Sequence, residues 1–597
     1  MTRWLSVLLA LITCPLPSNA PNAALDPSWG FALHAWASSD IPVTYFTYGP
    51  LGFLTVPVLW NRWTYLLALL FVLGIHVALC RLLLVRLLRI APLPVAVVVT
   101  FLVAALTDAF IAEAFTVVLA LLAAEVLQKG VGRPRLWFAG GVALSGLALL
   151  VKFSTGVTAL ALLVVVAFAL ANGVRARFVT AAAAAGCSIA LSWLAFGVLT
   201  GDFGAFPGWL TASREIARGY PAMAVELLEP TAVHYLLGLA VAGGLVATAL
   251  VLAARTRDTA RLAVGAVLLL LGYLFFREGY TRHDDLHEAS FIAAMTVLPF
   301  ALILGRRSRW ALVPLVVAPM GFSLWLSDGR IVEERYNIGN TAATVVGHLG
   351  DAIDPAPVQK QAAQDIRSAF PIPADALAAL RDRRVQVDPF NTGVLWAYDL
   401  EWGPSKVWAL YTSYTPWLDN RNAASIRSSS GPESILRYGE AGGIDSRVAR
   451  FESPAYQLTE QCAWRSAVVS GSWQVLEPST NRCSPGRRIG AVRFVPGQRF
   501  GVPLASRPDS IVTVRFELDV AVSTQLWSLA FKPRTERYLT MDGRRHRLVV
   551  ANAGQPLVLR VPAGVSGDPG TFAAVNPQVL QLDLPGTAVF EEVELMS

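Results

Sequence analysis

Two stretches of the 597-residue chain concentrate groups suited to proton transfer and anion binding. The first, LDPSWGFALHAWASSDIPVTYFTYGPLGFL (residues 25–54), holds two carboxylates, one histidine, several aromatics and no Lys or Arg. The second, FFREGYTRHDDLHEA (residues 275–289), packs Arg277, Glu278, Arg282, His283, Asp284, Asp285, His287 and Glu288 together. Both lie between apolar runs. A connecting turn needs few polar residues, so this density beside apolar segments points to function. Asp26 is read in two compatible ways, as a catalytic carboxylate at a membrane surface and as the N-cap of a short helix with Pro27 at its first position. Arg277, Arg282 and His283 are candidates to grip a phosphate, and the acids Glu278, Asp284 and Asp285 to orient a hydroxyl or hold a divalent cation. Lys152, in KFSTG (residues 152–156), is either a snorkelling lysine or a cation for a lipid phosphate.

The elements that would position these groups are membrane helices. The chain is 54% hydrophobic and only 15% charged, against about a quarter charged in soluble proteins. The apolar excess falls in the first 327 residues, as runs separated by short polar loops. About eleven spans are expected, near 4–19, 63–80, 91–107, 110–127, 136–151, 156–172, 178–199, 232–253, 262–276, 289–304 and 309–326. Alternate loops carry the bases: Arg3; Arg81, Arg86 and Arg89; Lys129, Arg133 and Arg135; Arg175 and Arg177; Arg255, Arg257 and Arg261; Arg306, Arg307 and Arg309. The other loops hold the acids and far fewer bases, with the lone Lys152 departing from that pattern. The positive-inside rule then puts the N-terminus in the cytoplasm and residues 328–597 outside. The net charge of +7 belongs largely to these loops, which removes nucleic acid as a partner. The first span also has the form of a signal peptide with Ser18-Asn19-Ala20 at its end, although Pro21 disfavours cleavage.

Residues 328–484 mix helix and strand patterns and predict an α/β or α+β domain. PADALAALRDRR reads as an amphipathic helix, and VQVDPF and SKVWALYTSYTPW read as strands. Residues 485–597 predict an antiparallel β-sandwich from SIVTVRFELDVA, QLWSLAF, RHRLVVA, PLVLRVPA, VLQLDL and AVFEEVEL, with packing or carbohydrate binding as its role. Residues 201–230 read as an interfacial helix carrying Arg214, Glu215 and Arg218. Of the five cysteines, Cys462 and Cys483 are candidates for a disulfide in an oxidising compartment.

This organisation resembles the GT-C glycosyltransferases: a polytopic helical bundle with an acidic residue in its first outer loop, further outer loops on the same side and an extracytoplasmic C-terminal part. The segments LDPSW, FTYGPLGFL, LVKFSTG, GYTRHDDLHEASF, VQVDPFNTGVLWAYDLEWGPSKVWALYTSYTPWLDNRNA and GGIDSR are also similar to a group of bacterial glycosyltransferase-like multi-pass proteins. The resemblance implies a transferase of the bacterial inner or plasma membrane. Its donor would be a polyprenyl-phosphate sugar and its acceptor an envelope glycan, lipid or protein. Asp26 would then be the base, and Lys152, Arg282, His283 and Arg277 the phosphate contacts. Trp29, Tyr45 and Tyr48 would stack on sugar, and Tyr411, Tyr414, Trp417 and Asp419 would line an acceptor groove. The doubled acid seen in some members is missing, because Pro27 follows Asp26, so a cation at that position is not implied. A flippase for lipid-linked saccharides and a non-catalytic envelope-assembly protein are the competing readings.

Overall fold

The computed structural model describes residues 2–38, 41–106, 111–129, 134–229, 231–254, 259–302, 309–327, 330–439, 443–532, 537–562 and 576–596. Arg133, Arg255, Arg257, Arg306 and Arg307 of the basic loops lie outside the described residues. Helices are numbered along the chain from α1 (Thr2–Thr13) to α22 (Val522–Ala530), and strands from β1 (Val225–Glu226) to β14 (Gly586–Glu594). The chain forms two compact units. One comprises residues 1–20, 48–206 and 225–358, the other 21–47, 207–224 and 359–597.

The first unit is helical. Each of the eleven expected apolar stretches carries a helix. Among the described residues, six helices are long and apolar enough to cross a membrane: 62–87, 111–128, 153–170, 174–200, 231–251 and 262–281. The others are shorter. Thr2–Thr13, Leu93–Ala105, Arg135–Val151 and Val313–Leu326 are apolar but have fewer than eighteen residues. The expected span 289–304 is α12 (Asp285–Val297) followed by a 3-10 turn, Leu298–Leu302.

Capping and packing set the helix limits. Asn61 starts α3 (Arg62–Leu87) by accepting from Trp63 N (2.9 Å) and Thr64 N (3.3 Å). Thr13 at the end of α1 bonds His76 of α3 (2.8 Å), while Leu9 and Ala10 pack with Cys80 and Ala104. At the other end of α3, buried Arg86 donates to Leu121 O (3.0 Å) and Phe300 O (3.0 Å) and pairs with Glu125 (3.2 Å). The unit extends past residue 327. Helix α15 (Ile338–Ile353) joins it through Tyr65 Oη, which donates to His348 O (3.1 Å), and Asp351, which accepts from Asn19 (2.7 Å).

The second unit contains the β-structure. Strands β3 (Val385–Asp388), β4 (Ser434–Tyr438), β5 (Trp464–Ser470) and β6 (Trp473–Pro478) form a sheet of order β3-β4-β6-β5, parallel only between β3 and β4. The stretch SKVWALYTSYTPW is not a strand. It runs through a 3-10 turn, Leu410–Thr412, and enters α19 (Pro416–Ser425). Side chains replace a ladder there: Gln386 accepts from Ser405 N (2.9 Å), and Asn422 both accepts from Val407 N (2.9 Å) and donates to Val407 O (3.1 Å).

Beyond residue 485 two four-stranded antiparallel sheets face a common core. One has the order β11 (Arg544–Arg547), β10 (Tyr538–Met541), β13 (Val579–Leu582), β8 (Arg499–Gly501). The other has the order β12 (Leu557–Arg560), β9 (Ser510–Leu518), β14, β7 (Arg487–Phe494). Phe494, Val512, Leu539, Leu557, Leu580 and Phe590 lie between them. QLWSLAF belongs to α22 rather than to a strand: it lacks the period-two pattern, and Leu526 and Trp527 are exposed.

Two early segments belong to this unit and not to the membrane helices. Residues 21–47 carry α2 (Leu25–Ser38). Residues 207–224 carry most of α9 (Phe206–Gly219), whose Ala212 and Ile216 pack with Tyr45, Val407, Tyr414 and Leu418. The helix expected to be interfacial thus packs its Ala212 and Ile216 into the second unit. Cys462 and Cys483 form a disulfide, while Cys14, Cys80 and Cys187 are free. Denatured but unreduced protein should therefore bind three maleimides per chain and five after reduction. Five before reduction would contradict the bond.

Candidate functional site

Burying a charge in an apolar bundle is costly unless it is paired. The helical unit does this twice at one end of α11 (Thr259–Thr281). The first cluster centres on Lys152, between α6 (Pro134–Val151) and α7 (Phe153–Leu170). Gly156 allows this tight junction, because a side-chain carbon there would overlap the backbone of Leu149. The segment after residue 47 is held alongside, with Gly49 N bonded to Val151 O (3.1 Å) and Leu51 N to Leu150 O (3.0 Å). Lys152 Nζ pairs with Glu113, in the first turn of α5 (Ile111–Lys129), and with Glu278 Oε1 (3.4 Å), and lies 5.4 Å from the Tyr48 ring centre. Side-chain exposure is 13% for Lys152, 8% for Glu113 and 34% for Glu278, so Glu278 presents the accessible carboxyl. Two acids share one cation.

The second cluster joins α10 (Thr231–Ala254), α11 and α12. Strands β1 and β2 (Arg282–His283) pair in parallel and set Glu226 opposite His283. His283 Nδ1 meets Glu226 (2.9 Å), and its Nε2 lies 3.5 Å from Glu288. His234 Nδ1 bonds the same Glu288 oxygen at 2.6 Å. His234, His283 and Glu288 are all buried. Burial alone would lower the His283 pKa, but the bonds to Glu226 and Glu288 outweigh it and raise it. Burial would raise the Glu288 pKa, and its bonds to His283, His234 and Tyr280 lower it. Tyr280 donates to His234 O (2.9 Å), and its ring sits where Gly238 leaves no room for a side chain.

Arg282, Asp284 and His287 of the loop are paired locally. Asp284 caps α12 by accepting from His287 N (3.0 Å), bonds the His287 ring (2.8 Å) and pairs with Arg282 (2.7 Å). Burial works against this carboxylate, yet the His287 bonds and Arg282 hold its pKa down at about 2. Asp285 is exposed and Arg277 half-buried. The expected phosphate contacts are therefore not a set of free surface cations. Lys152, Arg282 and His283 each face carboxylates of their own unit, and His283 is wholly inside.

The chain matches no family model and no curated protein.

Asp26 lies in the other compact unit from Lys152 and residues 277–288. It is exposed and stands inside the first turn of α2, not ahead of the helix as an N-cap. A carboxylate in that turn is still favoured by the helix dipole. The helix start is clamped from outside. Asn391 donates to Ala23 O (3.0 Å), Thr392 Oγ1 donates to Ser28 O (2.8 Å), and Gly393 N donates to Ser28 Oγ (3.3 Å). A side-chain carbon at Gly393 would come 2.7 Å from Asn22 O, so this approach requires glycine. Trp29 packs near Phe46 (ring centres 6.3 Å apart), and Tyr45 lies 6.0 Å from Trp417 with Lys406 over its ring. The three expected stacking residues are divided, Trp29 and Tyr45 in one unit and Tyr48 in the other.

The expected acceptor groove is a packed interior. Tyr411 and Tyr414 are buried, and Trp417 is half-buried. Burial raises the Tyr411 pKa well above its usual value, with Tyr414 and the nearby Asp26 adding to the rise. Asp419 is fully buried and accepts from Ser453 Oγ (2.7 Å), Ala455 N (2.8 Å) and Tyr456 N (3.2 Å), at the start of α21 (Pro454–Ala463). It caps a neighbouring helix and does not line a groove.

Sequence reasoning missed Glu113 and His234. Each is a polar residue in the first turn of an apolar helix, and that was the available signal. Their partners stand 39 and 54 residues away. Two measurements follow from the site. Lys152→Met should destabilise the detergent-solubilised protein by about 3–5 kcal/mol, the usual cost of orphaning a buried charge. Adding Glu113→Gln should recover part of that loss in thermal unfolding, and equal effects of the single and double variants would refute the pairing. Burial raises the Asp419 pKa from 3.8 to about 6 against its hydrogen bonds. The folded state holds this proton more tightly than the unfolded chain, so stability falls as pH rises through that interval. Asp419→Asn should gain about 2–3 kcal/mol relative to wild type between about pH 4 and pH 7 in urea unfolding.

Proposed function

We propose that the chain is a membrane glycosyltransferase that moves a sugar from a polyprenyl-phosphate donor to an envelope glycan, lipid or protein on the extracytoplasmic face. The observation that carries this reading is Asp26: an exposed carboxylate on a helix whose start is fixed by Asn391, Thr392 and Gly393. A positioned carboxylate can take the proton of an acceptor hydroxyl as the new C–O bond forms, while the bond to the donor phosphate breaks and its electrons leave with the phosphate. The Cys462–Cys483 disulfide supports an oxidising compartment for the second unit. It agrees with basic loops on the cytoplasmic side.

A flippase for lipid-linked saccharides is the second reading. The Glu113–Lys152–Glu278 cluster favours it, because buried ionisable groups at membrane-helix ends also serve transport.

Purified protein should transfer sugar from at least one member of a panel of polyprenyl-phosphate sugars. Asp26→Asn should lower that turnover roughly 10²–10⁴-fold with the cysteine-labelling pattern unchanged. Unaltered turnover in Asp26→Asn would end the assignment of the base. Saccharide translocation in vesicles that needs Lys152 but not Asp26, with no transfer from any donor, would establish the second reading instead.

A further inference from the structure

Several buried ionisable groups play no part in the proposed transfer. In the second unit, buried Asp388 of β3 and Arg437 of β4 lie with buried Arg450, Tyr456 and Glu460; Tyr456 Oη donates to Asp388 (2.9 Å) and Arg437 pairs with Glu460. That set balances its own charge. The cluster around His234 instead brings two imidazoles and a carboxylate, donors of the kind that bind a metal ion, together.

We propose that His234, His283 and Glu288 form a binding site for a divalent first-row transition ion of the zinc type, with Glu226 as the positioning acid behind His283. The donor atoms of the three residues all lie within 4.8 Å of one another. All three side chains are buried, and two of their polar atoms are poorly satisfied: His283 Nε2 approaches Glu288 Oε2 only to 3.5 Å, and Glu288 Oε1 makes no hydrogen bond of good geometry. Poorly satisfied polar atoms in an interior are costly, and here two of them belong to facing side chains. A cation bound by both removes the cost.

The geometry fits such an ion. Around a tetrahedral ion with bonds of about 2.0–2.1 Å, neighbouring donor atoms stand about 3.4 Å apart. His283 Nε2 and Glu288 Oε2 are 3.5 Å apart. The His234–Glu288 contact of 2.6 Å is a hydrogen bond, and it widens by less than about 1 Å when the carboxyl turns to bind an ion in place of that proton. His283 also has the outer partner that metal-bound imidazoles usually have: its Nδ1 is held by Glu226 at 2.9 Å, which directs Nε2 inward. The parallel pairing of residues 225–226 with 282–283 fixes that partner through the backbone.

The ligand set also selects the ion. Two imidazole nitrogens and one carboxylate suit zinc and its neighbours, while magnesium and calcium prefer an all-oxygen shell. Three protein donors leave a fourth position for water or substrate, as catalytic zinc sites do. The expected cation ligands Asp284, Asp285 and Glu278 are not part of this site. The inference stands independently of glycosyl transfer and is read by metal content.

The test uses the full chain in detergent, stripped with chelator, loaded with zinc and desalted. Mass spectrometry should find about one zinc per chain, and cobalt substituted for it should give the visible bands of low-symmetry nitrogen and oxygen coordination. His283→Ala and Glu288→Gln should retain none, while His287→Ala and Asp285→Asn should retain it. Glu226→Gln, which keeps all three ligands, should weaken zinc binding roughly 10–100-fold. Wild-type protein that retains no zinc and gives no cobalt bands, or stoichiometric zinc that survives in both ligand variants, overturns the site whatever the transferase assay shows.

Discussion

An ionisable group inside an apolar helical bundle must find a partner, and that constraint organises the first unit. At one end of the bundle Arg86 lies fully inside and is satisfied by Glu125 and by the carbonyls of Leu121 and Phe300. It thereby ties α3 and α5 to the 3-10 turn after α12. Near the end of α11, Lys152 gathers Glu113 and Glu278, and Glu288 gathers His234 and His283. Within each cluster the groups come from different elements of the chain. Pairing charges there is the same act as choosing which helices meet, and breaking a pair would cost several kcal/mol.

Glycines and backbone pairings supply the close approaches that these clusters require. Gly156 lets α7 turn back against α6 beside Lys152, and Gly238 admits Tyr280 beside His234. The two-residue pairing of β1 with β2 then brings Glu226 to His283. These are local devices with a chemical result, because they orient an imidazole and leave one of its nitrogens directed at a carboxylate.

In the second unit polar groups do the joining. Asn391, Thr392 and Gly393 hold the start of α2, Asn422 and Gln386 satisfy a stretch without a ladder, and Asp419 caps α21. Asp26 is presented by this scaffold rather than by a flexible loop. The clamp draws on residues more than 360 positions apart. This is why 21–47 belongs with the C-terminal body and why a boundary at residue 327 does not separate the units.

Local pattern was enough for several features. Apolar runs gave the helices, period-two alternation gave β9, β12, β13 and β14, and the two cysteines outside the apolar runs gave the disulfide. The crowding of charge in 275–289 also pointed to a cluster. Length was the weaker part, since among the described residues six helices reach spanning length where about eleven were expected. Pattern failed at SKVWALYTSYTPW and QLWSLAF, where side-chain bonds and exposure, not strand propensity, decide the backbone. It also failed for Glu113, His234 and the partners of Lys152 and His283. Residue order states which groups share a helix face or a strand, whereas the pairing of groups on separate helices depends on which ends pack together. Only the tertiary structure decided that, because the energy of a buried charge depends on the neighbour supplied from elsewhere in the chain.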